Sequence, residues 1–248
     1  MKLTMMVLFV ITLAGGMNVQ AASSPGSGWQ SLFNGKDLTG WELTEAAAEA
    51  WKVVDGVIDC DPKRRYAGGR SDLWTEESFG DFVLYVEWRF TDTPTEDTFP
   101  KIGPDGRPVR DEDGNVVRIT FPNADSGIYL RGMQKAQVNI WNWPIGSGEV
   151  WGYRTDGDMP DEVVAAVTPS VRADHPVGEW NTYVISMIGD RLSVILNGER
   201  VIDHARLPGV AETGPIGLQF HGGYDHEAGQ YRRASSLVQF RNLYVKPL

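Results

Sequence analysis

The chain has 248 residues, and its 33 acidic residues outnumber its 23 Lys and Arg residues, which gives a formal net charge of −10. This acidic balance argues against broad binding to a phosphate backbone, which needs clustered cations, so we expect no nucleic-acid partner. The 28 glycines and 14 prolines argue against long helices and favour a turn-rich β architecture. The single cysteine, Cys60, excludes an internal disulfide and a zinc site built on several cysteines.

Residues 1–21 have the pattern of an export signal. Lys2 gives a positive start and Leu3–Ala14 is mainly apolar. Val19 and Ala21 then stand at the −3 and −1 positions of a cleavage site. A membrane anchor is the alternative, but this apolar run is well short of the ~20 residues that span a bilayer. We therefore expect a cleaved signal peptide, an exported protein that is periplasmic or secreted, and no membrane partner after cleavage.

The rest of the chain reads as a flexible leader, residues 22–28, followed by one domain, residues 29–248, because no shift in composition marks a second domain. Short β segments separated by turn residues recur along this domain: Trp51–Asp59, Phe82–Phe90, Gly127–Arg131, Ala136–Trp143, Asn181–Ile188, Arg191–Leu196, Ile216–His221 and Leu237–Val245. Their spacing predicts an all-β sandwich of two antiparallel sheets. Thr44–Ala50 is the one helix-prone piece.

Two insertions interrupt this pattern of strands. Thr91–Asn123 is polar and rich in Pro and Gly, and Pro144–Pro176 mixes Gly, Pro and acidic residues. In a sandwich, long insertions usually gather at one end and shape a site.

Four of the predicted strands are apolar on one face and polar or aromatic on the other, because successive side chains of a strand point to opposite sides. The second faces display Tyr85, Glu87, Arg89, Tyr129, Arg131, Gln137, Asn139, Trp141, Trp143, Gln219 and His221. An ordinary solvated face is one interpretation, although it would be richer in Lys, Thr and Ser. A sugar-binding face is the other, since aromatic rings cover the C–H faces of a pyranose and fixed polar groups bond its hydroxyls.

Five sequence blocks follow one another over nearly the whole of residues 29–248: SLFNGKDLTGW (Ser31–Trp41), DSGIYLRG (Asp125–Gly132), Gly178–Asp203, GPIGLQFHG (Gly214–Gly222) and VQFRNLYVKPL (Val238–Leu248). Together they resemble the 3-keto-disaccharide hydrolase domain family. The resemblance implies a concanavalin A-like jelly-roll sandwich. It also implies cleavage of glycosides whose sugar has been oxidised to a 3-ketone.

Such a substrate permits a route other than conventional glycoside hydrolysis. The ketone acidifies the hydrogen on C2, and the glycosidic oxygen on C1 is β to the carbonyl. A base can remove the C2 proton, the aglycone then leaves, and water adds. This route needs one base, one group that stabilises the oxyanion and one acid. A plain two-carboxylate glycosidase is disfavoured, because no predicted strand places two acids on one face.

Three residues are the predicted catalytic groups. His221 is the preferred base or acid because imidazole titrates near neutrality. Arg131 is the preferred anion stabiliser because its charge is permanent, and Glu87 is the rival base. The predicted substrate contacts are Tyr129, Gln137, Asn139, Trp141 and Arg89.

A second hypothesis is a lectin-like glycan-binding domain that has lost catalysis. It is motivated by the amides Gln137 and Asn139, where the family commonly has a Glu-x-Gln pattern, and by Phe220, where it often has Asp. The expected ligand is therefore an oxidised (3-keto) glycoside or another glycan. No cofactor is certain, but the acidic segment Asp156–Asp161 leaves a divalent cation such as calcium open.

Overall fold

The computed structural model describes residues 26–64 and 71–248. The predicted signal peptide and most of the predicted leader lie outside the described residues. The secondary structure, in chain order, is β1 (Gln30–Ser31), β2 (Trp41–Glu42), α1 (Glu45–Ala50), β3 (Trp51–Val54), β4 (Val57–Cys60), β5 (Leu73–Phe79), β6 (Phe82–Phe90), β7 (Thr95–Pro100), β8 (Arg118–Asn123), β9 (Asp125–Leu130), β10 (Met133–Trp141), α2 (Trp151–Arg154), α3 (Asp161–Ala166), β11 (Asn181–Ile188), β12 (Arg191–Leu196), β13 (Glu199–Arg206), β14 (Gly214–Leu218), β15 (Tyr224–Asp225), β16 (Gln230–Tyr231) and β17 (Val238–Pro247). Within the described ranges, no helix is long and apolar enough to cross a membrane.

Two antiparallel sheets form the sandwich, as predicted. The larger sheet has the order β13-β12-β11-β6-β17-β4-β3, with β1 paired to β17. The smaller sheet has the order β10-β9-β14-β5-β2. Residues from both sheets share one apolar core, to which β6 contributes Leu84 and Val86 and β10 contributes Val138 and Ile140. The alternation in these strands therefore identified the buried faces correctly.

Turn residues set the hairpins of the larger sheet. Asn197 and Gly198 have φ values of 52° and 89°, which suit the tight turn between β12 and β13. The segment predicted as one strand, Trp51–Asp59, is instead the hairpin β3–β4, because Asp55 and Gly56 have φ values of 50° and 77° and reverse the chain.

The short helix α1 begins where the sequence placed the helix-prone segment. The Thr44 hydroxyl caps it by accepting a hydrogen bond from the Ala47 backbone N–H at 3.1 Å.

The two predicted insertions have structure of their own. Thr91–Asn123 contains the hairpin β7–β8, and Pro144–Pro176 contains the helices α2 and α3. A third excursion, after β14, forms the small hairpin β15–β16. Side chains from all three approach the outer face of the smaller sheet and build the walls of a pocket there.

Candidate functional site

A pocket of about 350 Å³ opens on the outer face of the smaller sheet. Its floor comes from β9, β10 and the segment after β14, and consists of Asp125, Gln137, Asn139, Trp141 and Gln219. Its walls come from the three insertions, and consist of Asp97, Phe99, Trp151, His221, Arg233 and Ala234. The pocket is therefore assembled from sheet residues of fixed position and from loop residues distant in the chain.

The register of β9 and β10 explains why these floor residues share a face. Gln137 pairs with Tyr129, Asn139 with Gly127, and Trp141 with Asp125. Side chains of paired residues point to the same side of a sheet. Gly127 is required here, because a Cβ at that position would lie 2.2 Å from Gln137 Nε2. Without a side chain at Gly127, Gln137 can lie across β9.

Asp125 and His221 form an acid–base pair in the pocket. His221 Nδ1 lies 2.6 Å from the Ala234 carbonyl oxygen, which can only accept, so Nδ1 carries a proton. The other ring nitrogen, Nε2, faces Asp125 Oδ2 at 3.6 Å. Burial raises the pKa of Asp125 to about 7, with His221 opposing the rise and Glu149 adding to it. Near neutrality this carboxyl exists in both protonation states.

A buried ion pair lies behind the floor. The Glu149 carboxylate is fully buried, and it accepts hydrogen bonds from Arg154 Nε and, at 3.3 Å, from Asn139 Nδ2. Burial raises the pKa of Glu149, while the Arg154 charge opposes that rise. The Arg154 guanidinium lies 5.5 Å from the centre of the Trp143 ring and 4.9 Å from that of Trp151. The hydrogen bond from Asn139 to Glu149 therefore connects the pocket floor to this ion pair.

Aromatic rings line one side of the pocket. Trp141 stacks on Trp143 with ring centres 4.2 Å apart, and its indole N–H donates to Asn123 Oδ1 at 2.6 Å. Because Trp141 is only 3% exposed, the half-buried rings of Phe99 and Trp151 present more surface to a ligand.

An exposed cation lies beside these aromatic rings. The Arg233 guanidinium lies 5.0 Å from the centre of the Phe99 ring and forms an ion pair with Asp97. The Arg233 side chain is 64% exposed, whereas that of Asp97 is 8% exposed.

Three pocket side chains have a buried polar atom with no protein partner among residues 26–64 and 71–248: Asp125 Oδ1, Gln137 Nε2 and Gln219 Oε1. Buried polar groups are nearly always paired, so a concentration of unpaired atoms in one pocket indicates a place for a polar ligand. Two acceptors and a donor suit a molecule with several hydroxyl groups.

The family model described as 3-keto-alpha-glucoside-1,2-lyase-like domain matches residues 28–246. The chain belongs to this family. No curated protein matches the chain. Membership of this family indicates that the chain is a carbohydrate-active protein with a β-sandwich fold.

Solved structures support the fold. Two candidate glycosyl hydrolases of Parabacteroides distasonis are 24% and 17% identical to the chain, with TM-scores of 0.56 and 0.54. The first alignment covers 90% of this chain and 84% of the other, and the second covers 89% and 94%.

In this 3-keto-glucoside lyase-like domain, four of the eight predicted site residues line the pocket: Gln137, Asn139, Trp141 and His221. Tyr129 lies on the same face but is only 5% exposed, because it stacks on Trp74 with ring centres 5.2 Å apart. Burial raises the pKa of its hydroxyl well above the usual value. Tyr129 therefore supports the floor beside Gln137.

The prediction that Glu87 and Arg89 share this pocket is wrong. Both lie on β6, in the larger sheet. Glu87 accepts hydrogen bonds there from the Tyr85 hydroxyl and from Arg241 Nε. Arg89 donates to Gln239 Oε1 at 2.8 Å. Alternation identifies the face of a strand but not the sheet that the strand joins.

Arg131 does not lie in this pocket either. It follows the last residue of β9 with a φ of 50°, and its side chain turns away from the pocket. The guanidinium donates to the carbonyl oxygens of Gly80, Gly189 and Ala211 and to the Asp81 carboxylate. Arg131 therefore ties loops together at the other end of the sheet.

The acidic segment Asp156–Asp161 begins with a turn, in which Asp156 accepts a hydrogen bond from the backbone N–H of Asp158. Across the two described ranges, no group of three or more His, Cys, Asp or Glu residues is arranged to hold a metal ion.

Sequence reasoning missed several pocket residues: Asp97, Phe99, Asp125, Trp151 and Arg233. A signal existed for Asp125, which is four residues before Tyr129 and therefore has the same facing in the strand. The others lie in insertions, where no periodicity applies.

Proposed function

We propose that the pocket cleaves glycosides whose sugar carries a 3-ketone, by elimination followed by hydration. The Asp125–His221 pair is the observation that carries the proposal. It combines a titratable carboxyl near neutrality with an imidazole 3.6 Å away, in a pocket of polar and aromatic groups. Membership of the family supports the choice of substrate.

In the first step, the ionised Asp125 carboxylate accepts the proton from C2 of the sugar. The electrons of the C2–H bond form a C1=C2 double bond, and the bond between C1 and the glycosidic oxygen breaks. The Asp125–His221 pair then returns the proton to the departing oxygen, so the products are an enone and the free aglycone. One pair serves as base and acid because Asp125 populates both protonation states near neutrality.

Negative charge develops on the ketone oxygen as the C2 proton leaves. Arg233 is the exposed cation on the pocket wall and takes the stabilising role that the sequence assigned to Arg131. In the second step, water adds to C1 of the enone and C2 regains a proton. The net reaction is hydrolysis that yields the free 3-keto sugar.

A lectin-like domain is the second candidate function. The amides Gln137 and Asn139 on the floor favour it, because amides bind hydroxyls without taking part in proton transfer. Saturable binding of a 3-keto glycoside without release of the aglycone would select this function over cleavage.

The test compares p-nitrophenyl 3-keto-glucosides of both anomeric forms with the unoxidised glucosides. We expect release of p-nitrophenol from a 3-keto substrate alone. His221→Gln should lower kcat/KM by roughly a hundredfold or more, the usual contribution of a general acid or base.

The matched control is His204→Gln. His204 pairs with Asp203 at 2.6 Å, but this pair is exposed and lies outside the pocket. Equal losses in the two variants, or cleavage of the unoxidised glucosides at the same rate, would refute the proposed chemistry.

We also propose that the protein is exported. The pattern of residues 1–21 supports this. N-terminal sequencing of the protein purified from the periplasm or medium should begin at Ala22. Retention of Met1 on protein confined to the cytoplasm would contradict it.

A further inference from the structure

The ion pair behind the pocket floor has no role in the steps described above. Glu149 and Arg154 are nearly inaccessible, with side chains 0% and 6% exposed. Burying two charges is costly, and apolar residues of similar volume are often at least as stabilising, so stability alone does not explain this ion pair. The hydrogen bond between Glu149 and Asn139, a floor residue, points to a role in the pocket.

A carboxylate can only accept hydrogen bonds, and this fixes the orientation of the Asn139 amide. Asn139 Nδ2 donates to Glu149 Oε2 at 3.3 Å, so the NH₂ group faces away from the pocket. The other carboxylate oxygen of Glu149 accepts from Arg154 Nε, which can only donate. Each group in this row therefore dictates the orientation of the next.

The backbone of Asn139 is held as firmly as its side chain. Its N–H donates to the Glu149 carbonyl oxygen at 2.8 Å, and its own carbonyl oxygen accepts from Gly148 N–H and from the Tyr183 hydroxyl. Because the backbone is fixed and the hydrogen bond to Glu149 holds the NH₂ group on the far side, Asn139 presents Oδ1 to the pocket that it lines.

We propose that Glu149 is a positioning residue that makes Asn139 a hydrogen-bond acceptor, so this subsite takes a hydroxyl of the sugar and rejects a group that can only accept. The inference rests on the proposed function, because the sugar is the 3-keto ligand of the same pocket. The same inference places the ketone in a different part of the pocket, because the ketone oxygen and Asn139 Oδ1 are both acceptors and would repel each other.

The variant Glu149→Gln tests the orientation directly. The amide oxygen of the substituted side chain stays with Arg154, because Arg154 can only donate, and the new NH₂ group then faces Asn139. Asn139 must turn its amide over to accept from it, which places its own NH₂ group towards the pocket. Glu149→Gln thus changes the subsite from an acceptor to a donor without changing its size.

The ligands are 1,5-anhydro-3-ketoglucitol, which has no aglycone to lose, and its 2-, 4- and 6-deoxyfluoro analogues. Fluorine is close to a hydroxyl in size and cannot donate. Calorimetry on the wild type should find one position where fluorine weakens binding by about tenfold or more, the effect of leaving a buried acceptor unpaired. In Glu149→Gln, the penalty at that position should fall to about twofold or less.

Two further variants complete the design. Asn139→Asp combined with Glu149→Gln restores an acceptor on the pocket side, and should restore the tenfold penalty. Glu87→Gln alters a carboxylate that also accepts from an arginine Nε, but on the larger sheet, and should leave all penalties unchanged. If Glu149→Gln alone does not fold, the double variant must still show the wild-type penalty at the same position.

The outcomes separate this inference from the proposed function. A wild type that binds no 3-keto ligand refutes both. Binding with the same fluorine penalties in the wild type and in Glu149→Gln refutes the positioning role alone, as does a double variant without the penalty. A merely structural role would weaken binding of all four ligands equally.

Discussion

Replacing Asp125 with Asn should abolish catalysis and at the same time stabilise the protein. Burial raises the pKa of this carboxyl from 3.8 to about 7. Each tenfold change in proton affinity corresponds to about 1.4 kcal/mol, so the ionised form is about 4 kcal/mol less favourable in the fold than in the unfolded chain. Asp125→Asn keeps the shape of the side chain and removes this ionisation.

The sign of the effect depends on pH. Well below pH 4 Asp125 is protonated in both the folded and the unfolded state, and its burial carries no ionisation penalty. Between pH 4 and pH 7 the unfolded chain releases the proton while the folded protein retains it, so the free energy of unfolding decreases. Above about pH 7 the full penalty of about 4 kcal/mol remains.

Urea denaturation of the wild type and of Asp125→Asn at pH 4 and pH 8 measures this penalty. We expect the variant to be more stable by up to about 4 kcal/mol at pH 8 and by less than about 1 kcal/mol at pH 4. Asp203→Asn, at an exposed carboxylate, is the control and should show no such gain. A variant that is less stable than the wild type at pH 8, or that gains equally at both pH values, would show that Asp125 is not held in this perturbed state.

Three further predictions concern other parts of the molecule. The kcat/KM for a 3-keto glucoside should rise with pH through about 7, because Asp125 must be ionised to accept the C2 proton, and a flat profile would exclude it as the base. Gly127→Ala should weaken 3-keto sugar binding in calorimetry by about tenfold, since its Cβ would collide with Gln137. The double variant Gly127→Ala, Gln137→Ala should remove the collision without restoring affinity, because the Gln137 amide is then absent. Arg131→Met should lower the free energy of unfolding in urea by about 3 kcal/mol, because it removes hydrogen bonds to three backbone carbonyls and to Asp81, and should leave kcat per folded molecule unchanged; a loss of kcat would return Arg131 to the site.

The fold was predictable from the sequence because successive side chains of a β-strand alternate between the two faces of the sheet. Alternation in Phe82–Phe90 and in Ala136–Trp143 separated the core face from the polar face, and the structure buries the side chains assigned to the core. The same period brought Gln137, Asn139 and Trp141 together. Both features belong to single strands, and local sequence determines them.

The site was harder to predict because it depends on contacts between distant segments. Glu87 has the right chemistry and the right facing, but its strand joins the other sheet. Arg131 has the right spacing, but the chain leaves the strand at this residue with a positive φ. Arg233 and Asp97 are 136 residues apart in the chain and meet only because two insertions fold over the same sheet.

The central claim is that the pocket removes the C2 proton of a 3-keto sugar. It is tested most directly by cleavage of a p-nitrophenyl 3-keto-glucoside in D₂O, with early product analysed by NMR. Elimination and hydration predict one deuterium at C2 of each released sugar. This deuterium should appear faster than deuterium exchanges into the free sugar, and the His221→Gln variant should not incorporate it. Released sugar that retains its original hydrogen at C2 would contradict the account.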